Sequence, residues 1–124
     1  FKNNTFDKYI ISFCLRNVTL IDKALYEAIR VLKPGGSFYC LEFSTPTSPA
    51  INGIYNFYKS KIIPFIGEQV AKNKKAYKYL EESISQFPNQ GVLLSKLDQI
   101  GFENTSVINL FNGIVSIHKG FKIL

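Results

Sequence analysis

Arg16 and Asn17 follow the apolar run Phe6 to Phe13 (FDKYIISF), and Glu42 sits near the end of a second such run, Ser37 to Phe43 (SFYCLEF). A guanidinium at the mouth of a strand can stabilise a developing oxyanion or orient a water. A carboxylate at a buried strand end is costly unless paired, so Glu42 is expected to bond a loop or Arg16. Cys14 and Cys40 each lie in or beside an apolar run and read as small buried hydrophobes rather than ligands or a bridge. The single histidine, His118, is too little for a zinc site and reads as structural.

The elements around these residues are legible. Phe6 to Phe13 follows the Asn3-Asn4-Thr5 turn signal and reads as a strand buried on both faces after Lys8. Thr19 stands three residues before Asp22, a capping-box-like start for a helix whose apolar stripe is Ile21, Ala24, Leu25, Ala28, Val31 and Leu32. Lys33-Pro34-Gly35-Gly36 ends it, and Ser37 to Phe43 is a second buried strand. Strand, helix and strand at this length form a right-handed βαβ unit with parallel strands. Ligands of open α/β sheets bind beyond the carboxyl ends of the strands, here Ser12 to Asn17 and Glu42 to Thr45.

A loop from Ser44 to Pro49 leads to a mainly helical insertion, about residues 50–87, interrupted by Pro64 and Gly67. Asn89 caps a helix from Gln90 to Ile100, and Gly101 stops it. Strands Thr105 to Leu110 and Ile114 to Lys119 flank Phe111-Asn112-Gly113, where Asn-Gly predicts a type I′ hairpin turn. The expected fold class is α/β, a parallel sheet ending in an antiparallel hairpin.

With 124 residues, 46% of them hydrophobic, the chain suits one small globular domain. It opens on Phe1, a few residues before a buried strand, and that start reads as a fragment. No apolar run approaches the roughly 18–20 residues of a membrane-spanning helix. Six lysines and one carboxylate, Glu68, fall between Lys59 and Lys78, which concentrates most of the net charge of +6 there. That stretch also holds Ile62, Ile63, Phe65 and Ile66, so it reads either as solvated helices or as a surface for anionic lipid headgroups. With only Arg16 and Arg30 as arginines, nucleic acid is not the expected partner.

Several stretches together carry a family resemblance. Leu32-Lys33-Pro34-Gly35-Gly36 with Leu41-Glu42-Phe43-Ser44, and Phe13-Cys14-Leu15-Arg16-Asn17-Val18 upstream, resemble signatures of the ubiquinone/menaquinone biosynthesis C-methyltransferases. Phe57-Tyr58, Ile63-Pro64, Tyr79-Leu80-Glu81-Glu82-Ser83-Ile84, Phe87-Pro88-Asn89-Gln90, Gly101-Phe102-Glu103 and His118-Lys119-Gly120 extend the likeness over essentially the whole chain. The resemblance implies the C-terminal part of a class I, Rossmann-like methyltransferase sheet, with S-adenosylmethionine as methyl donor and a polyprenylated hydroquinone as acceptor. In that family a ring carbon, activated by deprotonation of a neighbouring hydroxyl, attacks the sulfonium methyl, and the ring proton leaves afterwards.

By resemblance Ser12 contacts the cofactor, and Arg16 and Asn17 are the catalytic candidates. Tyr55, Phe57, Tyr58 and Phe65 are candidates to line the pocket for the ring and its tail, with ordinary core packing as the alternative. The Gly-rich loop and the ribose-binding acidic residue of the family have no counterpart here, for no Gly-x-Gly pattern occurs. The resemblance leaves open a homodimer or a quinone-synthesis assembly, and a cytoplasmic or matrix-side site at the inner membrane. Two other readings remain: an inactive remnant or docking subunit, and a class I methyltransferase for another small molecule.

Overall fold

The computed structural model describes residues 1–44, 49–62 and 74–124. Thr45, Phe65, the breaks at Pro64 and Gly67 and much of the lysine-rich stretch lie outside them. Strand β1 (Phe6–Ser12) leaves through a 3-10 turn, Leu15–Asn17, into helix α1 (Ile21–Val31), which returns to β2 (Leu32–Phe43). Helix α2 (Pro49–Phe57) continues into a π-helical turn, Tyr58–Ile62. Helices α3 (Lys74–Gln86) and α4 (Gln90–Ile100) precede β3 (Glu103–Leu110) and β4 (Val115–Phe121).

The sheet order is β1-β2-β4-β3, with β1 and β2 parallel and β4 antiparallel to both its neighbours. This is the α/β architecture expected. β4 fills the gap left when α4 carries the chain past β2 to β3. Leu25, Ala28, Leu93 and Leu97 of α1 and α4 pack on Leu32, Phe38 and Cys40 of β2, with Leu15 and Phe102 closing the core. Each fully buried leucine contributes roughly 1.5–3 kcal/mol through removal of apolar surface from water. Asp22 of α1 pairs with Lys96 of α4 at 2.9 Å, tying the two helices across their solvent side.

Local signals explain the boundaries of α4. Asn89 accepts a hydrogen bond from the Val92 amide at 3.0 Å, and Gly101, at φ 119°, closes the other end in the left-handed region. Asn112 (φ 57°) and Gly113 (φ 90°) form the expected type I′ turn, closed by the Ile114 amide donating to the Phe111 carbonyl at 3.2 Å. The last ladder pair is Leu110 with Val115, so that turn sits inside a four-residue loop.

Four expectations need correction. β1 is not buried on both faces: Ile10 is 68% exposed, because β1 pairs only with β2 and its outer face has no helix on it among the described residues. Thr19 does not cap α1; Leu20 occupies that position without a side-chain bond, and the Asp22 carboxylate is turned toward Lys96. β2 begins at Leu32, and Lys33 to Gly36 bulge from it between the pairs Phe6–Leu32 and Lys8–Ser37. A Cβ on Gly36 would stand 2.8 Å from the Lys33 carbonyl oxygen and 3.0 Å from that of Asp7, so this bulge requires glycine. Finally, Cys14 is exposed at the start of the 3-10 turn, whereas Cys40 is buried.

Candidate functional site at the carboxyl ends of β1 and β2

The two parallel strands end side by side, which brings Arg16 to Glu42. Glu42 is 0% exposed. Its Oε1 accepts from Arg16 Nη1 at 2.8 Å and from the Phe43 amide at 3.0 Å, and its Oε2 accepts from the Arg16 amide at 3.2 Å. Arg16 Nη1 also donates to the Phe13 carbonyl at 2.6 Å, and the guanidinium lies 5.5 Å from the Phe43 ring centre. Arg16 Nε is buried with no hydrogen-bond partner. The pairing expected from the cost of a buried carboxylate is present, and it fixes the turn after β1 to the end of β2. Asn17 fastens the same turn to α3, its Oδ1 accepting from the Tyr79 hydroxyl at 3.0 Å.

Helix α2 lies over this mouth with two adjoining stripes. Ile51, Ile54, Tyr55 and Tyr58, at helical spacing, join Phe43, Ile84 and Ile114 around an apolar cavity of about 430 Å³. Asn52, Tyr55, Asn56 and Lys59 face a smaller, polar cavity of about 210 Å³, completed by Ser44 and Ser85. Tyr55 belongs to both. Burial pushes its phenol above the usual tyrosine range, and the Arg16 guanidinium works against that rise. Lys59 is 8% exposed, with its ammonium 5.3 Å from the Tyr55 ring centre.

The structure therefore brings Arg16, Asn17, Tyr55 and Tyr58 to one end of the sheet. Ser12 is exposed at the carboxyl end of β1, and its hydroxyl makes no hydrogen bond within the sheet among the described residues. Phe57 does not join them. It is 63% exposed, because it lies two positions from Tyr55 and one from Tyr58, off their face of the helix. Phe65 lies outside the described residues. Lys59 departs from the basic surface expected of its segment; it is an interior residue, while Lys61, Lys75 and Lys78 are exposed.

Phe43 and Ser44 fall within the strand-end stretch Glu42 to Thr45 that the sequence placed at the site, whereas Lys59 was missed as a wall residue. The signal for Lys59 was its place four residues after Tyr55, on one helix face.

Deeper in the sheet, Cys40 and His118 are directly paired across β2 and β4. Burial and the nearby Glu42 charge push the Cys40 thiol up to about 12, which makes it a poor nucleophile. His118 is buried with Nε2 3.0 Å from the Gln90 carbonyl, and burial lowers its pKa from the usual value. It packs within the sheet, away from the two cavities.

This arrangement, three co-directional strands with one antiparallel strand slotted between the last two, is the closing half of a class I methyltransferase sheet. A SAM-dependent methyltransferase from Thermotoga maritima superposes with a TM-score of 0.66 at 19% identity, covering 98% of this chain and 58% of that one. Phosphoethanolamine N-methyltransferase 2 of Haemonchus contortus gives a TM-score of 0.66 at 12% identity, over 100% of this chain and 35% of its own.

Within that class, residues 1–122 match the ubiE/COQ5 methyltransferase family, and the chain belongs to it. It is 50% identical over 123 residues to the mitochondrial 2-methoxy-6-polyprenyl-1,4-benzoquinol methylase of Bos taurus, covering 99% of this chain and 37% of the relative. The proteins of the same name from Homo sapiens and Xenopus laevis are 48% and 47% identical, again over 99% of this chain and over 38% and 40% of theirs. The chain thus spans about two fifths of the length of these relatives.

Proposed function

We propose that this chain is the C-terminal portion of a single-domain enzyme that methylates a ring carbon of a polyprenylated hydroquinone, in ubiquinone or menaquinone synthesis. The observation that carries the reading is the apolar cavity of about 430 Å³ opening beside Arg16, Phe43 and Tyr55 at the carboxyl ends of the parallel strands. A flat ring with an isoprenoid tail needs an apolar wall with polar groups at one end; this cavity supplies the wall, and the adjoining polar cavity, which shares Tyr55 and Ile84 with it, supplies the polar groups.

S-adenosylmethionine, when bound, would supply an electrophilic sulfonium methyl. Of the residues present, Ser12 fits a contact with it, since its hydroxyl is exposed and uncommitted at the strand mouth. Arg16 and Asn17 shape the site. Arg16 is anchored through Nη1, which leaves Nη2 as its donor for a ring oxygen or a water, while Asn17 holds the turn against Tyr79. Tyr55 and Tyr58 wall the ring and the start of its tail, excluding water from the reacting carbon.

Among the described residues no helix is long and apolar enough to cross a membrane. A tailed substrate instead favours peripheral contact, and the exposed Lys61, Lys75 and Lys78 suit the anionic matrix-side face of the inner mitochondrial membrane, in keeping with relatives named as mitochondrial. A homodimer or a quinone-synthesis assembly is compatible with this placement.

The test is methyl transfer by the full-length protein from labelled S-adenosylmethionine to a demethylated polyprenyl quinol. Label in the ring is expected. Label transferred to a nonquinone acceptor, with none in the quinol, would remove the assignment.

A further inference from the structure

Two cations stand at this end of the sheet, and they differ in their surroundings. Arg16 is neutralised at 2.8 Å by Glu42. Lys59 is as inaccessible, 8% exposed, yet no carboxylate lies within ion-pair distance of it among the described residues. Among the described residues no carboxylate lines the cavity; on α3, Glu81 Oε1 accepts from the hydroxyl of Ser85, which is one of its wall residues, at 3.2 Å. A buried ammonium without a counter-ion is unfavourable unless an anion or a set of hydrogen-bond acceptors completes it.

The cavity against Lys59 is built to receive such a group. Ser44 is also 8% exposed, and its Oγ is buried with no hydrogen-bond partner. Asn52 and Asn56 add amide donors to the same walls. At about 210 Å³ the cavity is too small for a ring with a tail, but it shares Tyr55 and Ile84 with the apolar cavity beside it.

We infer that Lys59 and Ser44 form an oxyanion subsite that takes the ionised ring hydroxyl of the aromatic substrate whose apolar part occupies the neighbouring cavity. The inference rests on the methyltransferase reading for the identity of the substrate, but its chemistry is general: an amphiphilic phenolate is held with its oxygen on Lys59 and its body against Tyr55 and Tyr58. Lys59 is then the residue that favours the phenolate, the form whose ring carbon is nucleophilic, while Arg16, already paired, positions.

The experiment measures binding of an alkyl nitrophenol, ionised at the assay pH, and of its methyl ether to the full-length protein by calorimetry. Wild type should prefer the phenolate over the ether by about tenfold or more, the worth of one charge-assisted hydrogen bond. Lys59→Met should abolish that preference and leave ether binding unchanged; Lys59→Arg should retain it, and Ser44→Ala should reduce it. Changes in fold are excluded by the ether arm, which reports the intact apolar cavity in each variant. Equal binding of phenolate and ether by wild type, or a preference that survives Lys59→Met, would overturn the subsite. A phenolate preference that depends on Lys59 in a protein that methylates no quinol would instead keep the subsite and remove the methyltransferase reading.

Discussion

Glu42 takes two hydrogen bonds from a single residue: Arg16 reaches Oε1 through Nη1 at 2.8 Å and Oε2 through its backbone amide at 3.2 Å. One half of this clamp survives any side-chain change at position 16, and the other does not. Arg16→Met leaves a fully buried carboxylate with its charge uncompensated, and we expect a loss of about 3–5 kcal/mol in urea unfolding of the full-length protein. The double variant Arg16→Met/Glu42→Leu should recover most of that stability, while remaining inactive if Arg16 serves the reaction. A double variant no more stable than the single one would show that the pair is not the source of the loss.

The helical phase of α2 separates its aromatics. Tyr58→Ala opens the apolar cavity and should weaken binding of a long-tailed quinol severalfold, since Tyr58 is 47% exposed and only part of the roughly 1.5–3 kcal/mol of a fully buried large side chain applies. Phe57→Ser, on the exposed face, should change neither stability nor quinol affinity beyond about 0.5 kcal/mol. Fluorescence-monitored titration with a tailed quinol analogue distinguishes the two, and a larger effect at Phe57 would reverse the assignment of the cavity wall.

His118 makes stability depend on pH. Burial lowers its folded-state pKa below the ordinary histidine value of about 6.5, so the unfolded chain binds the extra proton first as pH falls. Its contribution is fully present above the unfolded value and declines below about pH 6.5, toward the lower folded value, with a slope of at most about 1.4 kcal/mol per pH unit. His118→Gln can keep a bond to the Gln90 carbonyl without titrating. The difference in urea midpoint between pH 7.5 and pH 5.5, chosen at about one unit either side of that value, should shrink in the variant; an unchanged difference would place the titration elsewhere.

The 124-residue segment by itself should show no measurable S-adenosylmethionine affinity in calorimetry, since Ser12 alone is a weak grip. With the hydrogen-bonding edge of β1 free among the described residues and Ile10 68% exposed on its outer face, the same sample should also self-associate. Micromolar affinity, or a monomer that melts cooperatively in sedimentation and thermal scans, would contradict these two expectations.

What was legible in the chain depended on how local its causes are. Helix α4 ends where Asn89 and Gly101 say it should, because capping and a positive φ act over four residues. The bond between Glu42 and Arg16 was also foreseeable, since a carboxylate in a buried strand must find a cation. Thr19 misled because the competing interaction, Asp22 with Lys96, joins residues 74 positions apart. The aromatics of α2 were counted without their helical phase, so Phe57 was grouped with Tyr55 and Tyr58. Lys59 was read as one of a run of surface charges, and nothing in a charge count reveals that a lysine of that run turns inward.

The placement of β4 bears on how the protein is made. Its residues Val115–Phe121 are among the last to be synthesised in this stretch, yet they pair with β2 on one side and β3 on the other. While they are still inside the ribosome, β3 has no neighbour and β2 has an open edge among the described residues, so this part of the sheet can be completed only once β4 itself has emerged. A premature stop just before Val115 would therefore remove the middle of the sheet rather than trim its rim, and quality control should see such products as unfolded.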